Sequence, residues 1–212
     1  MIKLRAVTEQ VSNPSIFVFS VFRSWNFQLS SFDQRWSVMF NIDQKDLNPV
    51  FNCDYTSLKD DGKVQVRGSR EYKQPFGWIK IGLDLSQKFR SEAWLWESSL
   101  DGSAHSWAVS YHGTSRQSAE EIVKTNYDLS KGKRFSFGRG IYSSPDPSIA
   151  ESYSEAFQYQ ERWYKVILQN RVNMEDTKYI AEKEYFLTKK QNNIIPYGLL
   201  IKEVEKPCQK RK

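Results

Sequence analysis

At 212 residues the chain is long enough to bury most of its apolar surface without staples, as one large domain or two small ones. Its two cysteines, Cys53 and Cys208, lie far apart and fit no metal-ligand spacing; with no secretory leader in view, they point to a reducing compartment, cytoplasmic or nuclear. The net charge of +6 suits an anionic ligand or partner, and the apolar run from Ile16 to Phe22 is far too short to span a bilayer.

The first hundred residues read as β-rich. Candidate strands are Met1 to Val7, Ser15 to Phe22, Arg35 to Ile42, Lys63 to Arg67 and Gly77 to Leu85, separated by Asn-Pro, Asp-Asp-Gly and Gln-Pro-Phe-Gly turns. Trp25, Trp36, Trp78, Trp94 and Trp96 follow no helical period and are expected mostly in the core. The run from Arg70 to Trp78 is distinctive but suggests no chemistry. Residues 97–104 are polar and turn-rich, so a weak boundary is expected near residue 100. A β-rich region (1–100) would pack on a second domain (101–205), followed by a basic tail (206–212).

The second half alternates. A strand runs through Trp107 to Tyr111-His112-Gly113-Thr114, and an amphipathic helix follows over Ser115 to Asn126. Ala119, Ile122 and Val123 form its apolar face, and Ser118 with Glu121 has capping-box spacing. A basic, glycine-punctuated loop from Asp128 to Gly140 leads into Ile141-Tyr142. Asp146 and Pro147 then suit the N-cap and first position of a helix reaching about Gln158. Strands are expected over Trp163 to Gln169, Glu184 to Thr188 and Ile194 to Val204. The last two would be joined by Lys-Lys-Gln-Asn-Asn as a hairpin turn. The fold class is α+β.

Three segments stand out in order: Tyr111-His112-Gly113-Thr114, Phe137-Gly138-Arg139-Gly140-Ile141-Tyr142, and Lys183-Glu184-Tyr185-Phe186-Leu187. Together they resemble the His-Tyr-Glu catalytic domain of the poly(ADP-ribose) polymerase-like ADP-ribosyltransferases, over roughly residues 105–204. The resemblance implies a split antiparallel β core with two short helices, in which the Glu184 strand pairs with the terminal one. It also implies NAD as co-substrate and no metal. By it, His112 would hold the adenosine ribose and the Gly113 backbone the nicotinamide amide. Tyr142 would stack on the nicotinamide ring, with Tyr153 on the ring's other face. Glu184 would be the catalytic carboxylate, acting with His112 and Tyr142. Thr114 is either a helix cap or a further cofactor contact. Arg139, with Lys131, Lys133 and Arg134, would face the pyrophosphate. The chain departs from the family at Ala150, where a serine hydroxyl commonly meets the nicotinamide amide.

The implied function is an NAD-dependent mono-ADP-ribosyltransferase that modifies a protein acceptor and releases nicotinamide, with chain elongation an open variant. Two alternatives stand beside it. One is a non-catalytic NAD- or ADP-ribose-binding module. The other is an NAD-dependent RNA-end-modifying enzyme, which shares a Tyr-His-Gly-Thr-like segment. That enzyme needs a further downstream histidine, and this chain has none after His112, so nucleic acid is the less favoured partner.

Overall fold

The computed structural model describes residues 36, 38–68, 70–86, 107–132 and 135–207, which belong to one compact unit beginning at Trp36. The expected strands over 1–7 and 15–22, the tryptophans Trp25, Trp94 and Trp96, the 97–104 connection and most of the basic tail lie outside the described residues.

In chain order the described elements are β1 (Cys53–Asp54), β2 (Gln65–Arg67), β3 (Arg70–Tyr72), β4 (Ile79–Gly82), β5 (Ala108–Gly113), α1 (Arg116–Thr125) and β6 (Ile141–Ser143). They continue with α2 (Pro147–Ser152), β7 (Phe157–Tyr159), β8 (Arg162–Val172), β9 (Thr177–Ile180), β10 (Tyr185–Thr188) and β11 (Ile194–Val204). The fold is α+β, and every pairing among the described residues is antiparallel. No helix among them is long and apolar enough to cross a membrane.

The main sheet has the order β1-β4-β11-β8-β5, with β7 also paired to β8. Its centre is the long pair β8–β11, in register from Trp163–Val204 to Val172–Ile194. Both strands carry near-continuous buried runs, the pattern of a sheet covered on two faces. Pro196 has no N–H to give the ladder, and the register slips there, between Pro196 and Gly198. Strands β1 and β4, from the first half of the sequence, complete this sheet against β11. Trp78, Tyr111, Ala150, Ile167 and Leu200 meet in one core cluster.

A second sheet, β6-β10-β9, stands apart. Tyr111 on β5 and Ser144 just after β6 join it to the main sheet as an isolated bridge, each amide donating to the other's carbonyl at 2.7 and 2.8 Å. The first and second chemical segments of the sequence therefore meet side by side.

Several local expectations are corrected. The stretch expected as a strand from Arg35 to Ile42 is helical at Trp36, Val38 and Met39, with the Phe40 amide bonded to the Trp36 carbonyl at 3.0 Å. Of its buried residues, Trp36, Met39, Phe40 and Ile42, the second and third lie three and four positions after the first, while Val38 is 70% exposed, so the period over 36–40 is helical. Lys189 to Asn193 is no hairpin turn. It carries the chain from β10 in the small sheet to β11 in the main one, so the expected Glu184-strand pairing with the terminal strand does not form. Asp176 holds this corner by accepting from Lys190 Nζ at 2.8 Å and Asn193 Nδ2 at 2.6 Å. Helix α2 ends at Ser152 rather than near Gln158. The Ser154 hydroxyl bonds both the carbonyl and the amide of Val166, which pulls the chain into β7. The N-cap of α1 is Ser115, which accepts from the Ser118 amide at 3.2 Å, so Ser118 lies inside the helix and starts no capping box. Strands β1, β3, β7 and β9 were not anticipated.

Candidate functional site

A cavity of about 740 Å³ opens where the end of β5, α1, the loop over 127–140, β6, α2 and the start of β10 converge. Its volume is that of a small-molecule site. Of the residues singled out in the sequence, His112, Gly113, Thr114, Tyr142 and Tyr153 line it. Glu184 sits between two lining residues, Lys183 and Tyr185. Arg139 is exposed on the loop and is not part of the lining, and Lys133 and Arg134 lie outside the described residues. Lys131 lines the cavity but is paired with Glu121 at 2.8 Å, so its charge is partly spent within the protein.

The main-sheet wall is set by packing. His112 pairs with Leu168 in the sheet, and its Nδ1 lies 2.7 Å from the Tyr142 carbonyl. A carbonyl only accepts, so Nδ1 carries the proton and Nε2 is the acceptor of the neutral ring; this tautomer is assigned from the hydrogen bond. Burial pushes the His112 pKa below its ordinary value of 6.5, with the Tyr142 carbonyl acting the other way. Tyr127 packs edge-on against the ring at 5.3 Å. Beside it, a Cβ on Gly113 would lie 1.8 Å from the Ala150 carbonyl oxygen. The glycine is therefore required by the close approach of β5 to α2, before any ligand is considered. Ala150 itself is 3% exposed and its methyl belongs to the core cluster.

The small-sheet wall is aromatic. The Tyr142 hydroxyl accepts from the Phe137 amide at 2.8 Å and donates to the Gly138 carbonyl at 2.7 Å, which fixes the ring against the preceding loop. Tyr185 is the hub: Phe137, Tyr142 and Tyr153 meet it edge-on, with centroids at 6.3, 6.3 and 6.2 Å. The Tyr153 and Tyr185 hydroxyls are hydrogen-bonded. That bond, together with burial, pushes the Tyr185 pKa up to about 12. Tyr153 is 59% exposed, so it belongs to the cavity rim and not to the core of its helix. Tyr185 was recognised in the sequence only as the aromatic after Glu184; its role as hub depends on partners far along the chain.

Glu184 closes the turn over Ala181–Lys183 and adopts a left-handed conformation, φ 51° and ψ 43°. For a residue other than glycine this costs roughly 1–2 kcal/mol. Its carboxylate is 44% exposed and lies 3.8 Å from Lys73 Nζ. The same ammonium donates to Asp146 Oδ2 at 2.8 Å. Burial pushes the Asp146 carboxyl pKa up, but hydrogen bonds from Lys73 and Ser148 outweigh it and hold the group below its ordinary value. Lys73 is held above its ordinary value, chiefly by the Asp146 hydrogen bond. Sequence reasoning reached Asp146 only as a helix cap, which it also is, accepting from the Ser148 amide at 2.8 Å. It missed Lys73, although Lys73 lies in the Arg70–Trp78 run marked as distinctive.

The arrangement offers a carboxylate between two cavity-lining residues, a neutral imidazole and a set of edge-on tyrosines. Such a set can hold a flat heteroaromatic group and stabilise positive charge that develops beside it. Among the described residues no group of three or more His, Cys, Asp or Glu side chains is placed to hold a metal ion. The sequence matches no known protein-family model and no curated protein.

Proposed function

We propose that the protein is an NAD-dependent mono-ADP-ribosyltransferase of the poly(ADP-ribose) polymerase-like kind, transferring ADP-ribose to a protein acceptor and releasing nicotinamide. The observation that supports this reading is that His112, Tyr142 and Tyr153, from three separated segments, line one cavity, with Glu184 between its lining residues Lys183 and Tyr185. In this reading the neutral His112 ring bonds the adenosine ribose and the tyrosines around Tyr185 hold the nicotinamide. As the bond from nicotinamide to ribose breaks, its electron pair leaves on the nicotinamide nitrogen. Glu184 stabilises the positive charge left on the ribose until the acceptor's nucleophile forms the new bond and loses its proton. A cytoplasmic or nuclear location would follow from the two widely spaced cysteines of the sequence.

The test is incubation with labelled NAD of the wild-type protein and of Glu184→Gln. The expected result is nicotinamide release and protein labelling in the wild type only. Equal labelling in both, or in neither, overturns the assignment. Ala150 favours a second reading, a binding module that retains NAD or ADP-ribose without reacting. It puts a buried methyl where the family commonly has a hydroxyl, and the absent bond is worth roughly 0.5–1.5 kcal/mol. Calorimetric binding of NAD with no nicotinamide released over hours would select that reading.

A further inference from the structure

The Arg70–Trp78 run touches the candidate site through Lys73, whose two ends are both tied down. The Tyr111 hydroxyl donates to the Lys73 carbonyl at 2.5 Å, and Tyr111 is wholly buried on β5, next to His112. At the other end the ammonium donates to Asp146, itself fixed because its second oxygen accepts from the Ser148 amide and hydroxyl at the start of α2. Glu184 Oε2 lies 3.8 Å from this anchored cation. That is close enough for attraction and too long for a hydrogen bond.

We propose that Lys73 is a positioning residue for Glu184, an anchored cation that holds the carboxylate beside the cavity-lining Lys183 and Tyr185 while leaving its oxygens free to bond substrate. The proposal rests on the reading of Glu184 as the reacting carboxylate. The pair is too exposed to contribute much to stability, since water and salt screen it. Its effect lies in orientation, because a carboxylate on an exposed turn otherwise samples several rotamers. Asp146 has a matching role. By taking the hydrogen bond it offsets the lysine's charge, so the carboxylate keeps the negative field that a developing cation needs.

The test is the kinetics of nicotinamide release by the wild type, Lys73→Met and Lys73→Arg, with thermal unfolding of each as a fold control. Lys73→Met should lower kcat about tenfold and change the KM for NAD less than about twofold, and Lys73→Arg should recover most of the loss. An unchanged kcat in Lys73→Met, or a loss that arginine does not rescue, overturns the proposal. A second readout needs no turnover: the nitrogen-15 signal of the Lys73 ammonium, compared between wild type and Glu184→Gln. Should the wild type release no nicotinamide, the enzymatic reading fails while this signal still decides the link. A shift on Glu184→Gln retains the tether, and an unmoved signal overturns it.

Discussion

The two walls of the cavity are held in different ways. On the main-sheet side, His112 and Gly113 belong to a strand paired along its length with β8, and Gly113 lies against the backbone of α2 with no room for a methyl. On the small-sheet side, Tyr142, Tyr153, Tyr185 and Glu184 lie on short elements tied by hydroxyl bonds, edge-on ring contacts and one ammonium. Packing defines the first wall to within a fraction of an ångström, because a close-packed interior has no slack. Polar tethers define the second, and each is worth little alone. A wall of the first kind suits holding an unreactive part of a ligand, and one of the second kind suits groups that adjust as charge moves.

Substitutions can separate the two. On the reading proposed above, Glu184→Gln should have the largest effect, lowering the nicotinamide-release rate about 10²–10³-fold. It should leave chemical denaturation almost unchanged, because the residue is held by tethers and not by packing. Gly113→Ala should instead lower the unfolding free energy by ~3 kcal/mol, since its methyl meets a backbone carbonyl that cannot move aside. Gly140→Ala is the comparison on the small-sheet side. Its methyl would meet the Leu187 side chain at 2.5 Å, which can rotate partly away, and the Thr188 carbonyl oxygen only at 2.9 Å, so a smaller loss of about 2 kcal/mol is expected. If the two alanine variants unfold alike, the contrast between the walls fails.

A pH titration sharpens the packed side. The His112 pKa is lower in the folded protein than the ordinary 6.5, so the folded state resists taking the proton. Its contribution to stability is complete above about pH 6.5 and is lost as the pH falls from there through the folded value. Unfolding free energies of the wild type should therefore decline below pH 6.5 more steeply than those of His112→Gln. The smallest effect is expected away from both walls, at the β7–β8 turn. Gln160 has φ 53° there, and Gln160→Gly should raise stability by about 0.5 kcal/mol in the same denaturation assay.

What could be read from the sequence was what local patterning controls. The apolar runs announced β8, β10 and β11, and Asp146-Pro147 announced the start of α2, because capping and alternation act over a few residues. The meeting of Tyr142 with His112 was anticipated only through the resemblance; structurally it rests on the Tyr111–Ser144 bridge and the His112–Tyr142 hydrogen bond, both between residues far apart in sequence. Trp36 to Phe40 was misread because a short aromatic run fits either period. The 189–193 corner was misread because turn-forming residues do not reveal which sheet the next strand enters. The Lys73–Asp146 contact spans 73 residues, and no spacing rule reaches that far. Tyr185 was in plain view beside Glu184, but a hub exists only once its three ring partners have been brought to it.

The bridge between Tyr111 and Ser144 also supplies a clock. Its two amide protons are locked in reciprocal bonds between residues 0% and 2% exposed, so solvent deuterium reaches them only when the sheets part. Their exchange rates, set against those of the β8–β11 ladder, measure how often the cavity widens without the whole sheet unravelling. A ligand that spans both walls should slow these two amides before any others.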